Sequence, residues 1–138
     1  MKKLLYEKTN LTPEVDYDPI KGRFVITGYS RPEDVREFYI PIIKYIEEYQ
    51  KLIENRKLDP ACKLNDLRFV FRFTYFNSAS TKFISDLLFQ VVKFKRMGVN
   101  FMVDWYYEEY DEDMREVGED LSDMISYPFN FYSFRAEE

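Results

Sequence analysis

Between residues 67 and 91 the hydrophobic period changes in mid-run, and that change constrains the fold more than any other feature. Leu67, Phe69, Phe71, Phe73 and Tyr75 alternate with mostly polar neighbours, the period of a half-buried strand. Phe83, Ile84, Leu87, Leu88 and Val91 then recur at the spacing of an amphipathic helix. Asn77, Ser78, Ala79 and Ser80 lie between the two patterns, with Thr81 and Lys82 next. A strand is thus expected to hand over to a helix at about Ser80, through a segment of small side chains. The first turn of a helix has unpaired N–H groups and the positive end of the helix dipole. Such a place accommodates an anion and offers hydroxyls to a kinase. The same residues are ordinary helix caps, which is the commoner role for them.

The rest of the chain repeats the strand and helix alternation. Residues 4–7, 14–17 and 23–27 read as strands, the last two joined by the hairpin signal Asp18-Pro19-Ile20-Lys21-Gly22. Ser30 with Glu33 has the spacing of a capping box, and Pro32 suits a first helical turn. Val35, Phe38, Ile42, Ile46, Tyr49 and Ile53 then form one apolar stripe, ending near Asn55. Pro41 inside that stripe predicts a kink or a break into two helices. Residues 99–107 read as a strand carrying Phe101, Val103 and a buried Trp105 on one face. An acidic run, Glu108 to Asp113, opens a third helix, and Phe129 to Phe134 form a last edge strand. The order β-β-β-α-β-α-β-α-β predicts one α/β domain over residues 1–138. Its sheet should be mixed, with helices mainly on one face and the other face wetter.

Chemistry is bounded mostly by what is missing. The chain contains no histidine, which removes the commonest general base and metal ligand. Its one cysteine, Cys62, cannot form an intramolecular disulfide and has no histidine to pair with, as a reducing cytoplasm would favour. The four glycines are isolated, so no phosphate loop or dinucleotide fingerprint occurs. Asp111 and Asp113 lack the spacing of a calcium loop and read as helix-start carboxylates, so no metal and no cofactor are expected. A net charge of −5 argues against nucleic acid or an anionic membrane as partner. No apolar run approaches the length of a membrane span, and no secretory signal core follows Met1, so a cytoplasmic location without membrane insertion is expected.

Several segments in this order carry a resemblance. They are Thr12-Pro13-Glu14-Val15, Gly28-Tyr29-Ser30-Arg31-Pro32-Glu33 with Phe38-Tyr39-Ile40-Pro41, and Tyr75-Phe76-Asn77-Ser78-Ala79-Ser80 with Lys82. Trp105-Tyr106-Tyr107, Asp113-Met114, Gly118-Glu119-Asp120 and Pro128-Phe129 complete the set. Over nearly its whole length the chain resembles the SiaC-like family of bacterial regulatory phosphoproteins. The resemblance implies a STAS-like domain that is not an enzyme. It implies a dedicated Ser/Thr kinase and a PP2C-type phosphatase as partners. It further implies that the unphosphorylated form binds and activates a GGDEF-type diguanylate cyclase, controlling c-di-GMP and biofilm formation. The family's phosphorylated threonine corresponds to Ser78 here, with Asn77, Ala79, Ser80 and Lys82 shaping the loop and Ser80 and Thr81 as rival acceptors. An alternative is a STAS-type anti-sigma-factor antagonist with an anti-sigma kinase as partner. The chain departs from the family pattern in having Ser78 for threonine and Ala79 for serine.

Overall fold

A computed structural model describes residues 1–135. Six strands form one mixed sheet: β1 (Leu4–Tyr6), β2 (Glu14–Asp18), β3 (Arg23–Ser30), β4 (Leu67–Phe76), β5 (Phe101–Glu108) and β6 (Asn130–Phe134). They lie side by side in chain order, β1 to β3 antiparallel and β3 to β6 parallel. Helices α1 (Val35–Glu54), α2 (Ser78–Val92) and α3 (Glu112–Met124) form the three parallel crossovers. Crossovers between parallel strands are right-handed, and here all three step in the same direction across the sheet. They therefore place every helix on the same face. The observed element order is the one expected, with a short 3-10 turn, Lys93–Lys95, added after α2.

The covered face is built on rings. Phe24 stacks on Phe69 at 4.7 Å, and Tyr49 of α1 tilts against Phe24 at 5.5 Å. Trp105 is fully buried, stacked on Phe71 and Phe129, and its Nε1–H donates to the Met114 carbonyl at 3.0 Å. The opposite face is open and polar. There Arg68 pairs with the buried Asp104 at 2.6 Å, and Asn130 donates to the other Asp104 oxygen. Asp18 accepts from the backbone N–H of Ile20 and Lys21, which closes the β2–β3 turn around Gly22 at φ +67°.

Three local expectations need correction. Ser30 does not cap α1: β3 runs through it, and the cap is Asp34, whose carboxylate accepts from Glu37 N–H at 3.0 Å. Asp34 and Glu37 have the same three-residue spacing as Ser30 and Glu33, so the signal was ambiguous and the extra length of β3 decided it. Of the two outcomes expected at Pro41, the break into two helices does not occur, and α1 stays helical from Val35 to Glu54. Pro41 is exposed, so the carbonyl left without a donor, on Glu37 one turn earlier, lies on the side where water serves it. Tyr75 does not continue the buried alternation of β4. Gly28 pairs with Phe73 but Tyr29 pairs with Tyr75, so Thr74 is an extra residue, a β-bulge. The bulge turns Tyr75 outward and Phe76 inward, where Phe76 meets Phe73 and Trp105. Gly28, at φ +121° opposite the bulge, adopts a backbone shape closed to other residues.

Candidate functional site

The bulged end of β4 delivers the chain directly into α2. Asn77 is the cap, its Oδ1 accepting from Ser80 N–H at 3.0 Å, and its own N–H donates to the Ser30 carbonyl at 3.0 Å. Helix α2 therefore begins at Ser78, two residues before the position expected from the apolar pattern. Ser78 and Ala79 are exposed on its first turn, and Ser80 is fully buried. Thr81 is half-buried, with its hydroxyl turned back to the Asn77 carbonyl at 3.4 Å. Lys82 is exposed, pairs with Asp86 at 3.0 Å and lies over the Phe83 ring. At the start of α3, Asp111 takes the ordinary cap role, accepting from Met114 N–H.

Beneath the exposed first turn runs a buried chain of hydroxyls. Asn77 Oδ1 only accepts, so the Ser80 hydroxyl donates to it at 2.7 Å. The Ser30 hydroxyl then donates to Ser80 Oγ at 2.9 Å, and the Tyr39 phenol donates to Ser30. This orders one proton per link and ties α1, the end of β3 and the start of α2 together. Sequence reasoning placed Asn77 and Ser80 at this site but gave Ser30 only the role of a cap and Tyr39 no place in the apolar stripe. A signal for Tyr39 did exist, since Tyr39, Ile42, Ile46 and Tyr49 also lie at helical spacing and all are buried. Its neighbour Phe38 hid it by fitting the stripe as well.

Tyr39→Phe keeps the ring and removes the first donor of the chain. We expect a loss of about 1–2 kcal/mol, read from the urea midpoint. A double-mutant cycle with Ser80→Ala should give a clearly non-additive result, because both residues act in one network. Additive effects would mean that the two ends of the chain are independent.

Burial pushes the Tyr39 phenol up to about 12, the Ser30 and Ser80 hydrogen bonds pulling partly the other way. Burial raises Tyr17, Tyr45 and Tyr49 in the same direction. A phenol that holds its proton more tightly when folded adds stability that is complete below its ordinary value of 10.0. For Tyr39 that stability is lost as pH rises through about 12. Unfolding in strong alkali should coincide with tyrosine ionisation in the ultraviolet difference spectrum. Ionisation of these tyrosines while the near-ultraviolet circular dichroism stays native would contradict it.

A mixed sheet with all helices on one face, and an exposed serine opening the helix that follows a central strand, defines an α/β domain that presents an accessible hydroxyl at a helix start. The sequence model of the SiaC family regulatory phosphoproteins matches residues 6–134, and the chain belongs to that family. An uncharacterized protein of Pseudomonas aeruginosa (strain UCBPP-PA14) is 26% identical over 121 residues, covering 88% of each chain. The structure of SiaC of Pseudomonas aeruginosa superimposes with a TM-score of 0.78 at 25% identity, covering 97% of this chain and 100% of that one. A second similar structure is that of the diguanylate cyclase SiaD in complex with its activator SiaC, also from Pseudomonas aeruginosa. There the TM-score is 0.77 at 25% identity, with 95% and 99% covered. Among the described residues no helix is long and apolar enough to cross a membrane.

Proposed function

We propose that this protein is a non-enzymatic switch whose unphosphorylated form binds and activates a GGDEF-type diguanylate cyclase, with Ser78 as the phosphoacceptor. The observation that carries the reading is the contrast at the start of α2. Ser78 is exposed at the first helical position, whereas Ser80 is fully buried and Thr81 is turned back on Asn77. A kinase must take the hydroxyl into its own site, so only an exposed side chain serves without local unfolding. The phosphate then meets the unpaired N–H groups and positive dipole of the first turn. It adds about −1.5 to −2 charges to the surface without disturbing the hydroxyl chain below. The likeness to SiaC, crystallised with the cyclase that it activates, supports the choice of partner. A cognate Ser/Thr kinase and a PP2C-type phosphatase would set the phosphorylation level, and c-di-GMP output and biofilm formation would follow it. The domain acts as one unit over residues 1–138.

Phosphosite mapping after incubation with the cognate kinase tests the acceptor. Modification at Ser80 or Thr81 with Ser78 untouched would sink the assignment. Cyclase output is measured in parallel with the unmodified and fully phosphorylated protein, and equal stimulation by both would remove the switch.

A further inference from the structure

We infer that the cleft at the carboxyl ends of β3, β4 and β5, the end of the sheet from which α2 starts, is a docking surface for an acidic, aromatic-bearing segment of a protein partner. The inference rests on the functional reading above and adds the place and chemistry of the contact. Two adjoining hollows of about 470 and 380 Å³ share Lys8 and Tyr29 as walls. The larger is also lined by Arg72 and Arg135, the smaller by Arg31. Among the described residues, four cationic side chains thus face one carboxylate in the lining, Glu108, although the chain as a whole has a net charge of −5.

Among the described residues, most of that positive charge has no ion-pair partner. Arg135 is held by Glu109 at 3.0 Å. Lys8, Arg31 and Arg72 have no carboxylate within ion-pair distance among the described residues. The Arg72 guanidinium instead lies over the Phe134 ring at 4.1 Å, which fixes its plane and leaves its N–H groups for another acceptor. Beside the cations two large rings face outward. The β4 bulge sets Tyr75, 46% exposed, next to Tyr29, 47% exposed, with ring centroids 6.5 Å apart. Exposed tyrosines and arginines are the residues that anchor protein interfaces. Carboxylates for the cations and an aromatic ring for the tyrosine pair therefore describe the occupant.

The place of Ser78 gives this surface its control. Ser30 pairs with Phe76 in parallel strands and its carbonyl accepts from Asn77 N–H, so the chain leaves β3 at Arg31 next to Asn77, the residue before Ser78. A phosphate on Ser78 would compete with the partner's carboxylates for the same cations.

The test uses the full chain and the cyclase partner. Lys8→Glu with Arg31→Glu, both exposed side chains, is expected to weaken cyclase binding about thirtyfold or more, with a steeper loss in low salt. Arg72→Glu is the third variant, checked by circular dichroism because it packs on Phe134. Lys93→Glu with Arg96→Glu, in the groove between the far ends of α1 and α2, is the control and should bind as wild type. Wild-type affinity in the Lys8 and Arg31 double variant overturns the surface. Should the wild type bind no cyclase, the functional reading fails, and a second probe decides the surface alone. Nuclear magnetic resonance titration with a Glu/Tyr-rich peptide should move the signals of Lys8, Tyr29, Arg31, Arg72 and Tyr75, and a Lys/Tyr-rich peptide should not. Absent shifts, or shifts centred elsewhere, overturn the proposal.

Discussion

Complete phosphorylation of Ser78 is expected to weaken binding to the cyclase partner by about a hundredfold, while the melting temperature moves little. A like charge set into a partner's acidic contact costs several kcal/mol, and roughly 3 kcal/mol corresponds to that factor. The fold should tolerate the group because Ser78 is exposed on the first turn of α2 and lies outside the buried chain from Tyr39 to Asn77. Ser78→Ala should keep the binding form under kinase treatment. Ser78→Asp should weaken binding less than the phosphate does, since one carboxylate has a single charge and two oxygens. Isothermal titration of the cyclase with each form measures the series. Equal affinity for Ser78→Ala and the phosphorylated wild type would show that the helix start is not part of the interface.

Gly118→Ala is expected to cost about 3 kcal/mol, lowering the melting temperature by roughly 10 °C. A Cβ on Gly118 would lie 2.5 Å from both Cδ1 and Nε1 of Trp105. The indole cannot retreat, because Phe71, Phe73, Phe76 and Phe129 surround it at centroid distances of 5.8 to 6.4 Å. Helix α3 must move instead, straining the hydrogen bond from Trp105 to the Met114 carbonyl. Glycine to alanine inside a helix ordinarily gains up to about 1 kcal/mol, so the predicted sign runs against propensity. Glu116→Ala, exposed on the same helix, should stay within about 0.5 kcal/mol of wild type. Thermal denaturation followed by tryptophan fluorescence reads both, and a more stable Gly118→Ala protein would mean that α3 does not press on the indole.

The sequence by itself determined the order of elements, the mixed sheet and the covered face, because alternation in β4 and β5 and the helical stripes are local periodicities. It also placed Trp105 in the core and a hydroxyl-rich helix start after β4, and composition alone removed histidine chemistry. Only the tertiary structure decided where β3 stops and which hydroxyl is reachable. Ser30 has the local signature of a cap, but pairing with β4 holds it in the sheet, and the cap passes to Asp34. The bulge at Thr74 is likewise a property of two strands fitted together, so a period read along one strand runs on to Tyr75 without it. Ser78 and Ser80 are two residues apart on one turn and chemically identical. One faces solvent and the other is closed in by Ser30 and Tyr39, brought from two distant elements. Periodicity is encoded in neighbours along the chain, whereas burial of a single hydroxyl depends on which elements the fold packs over it.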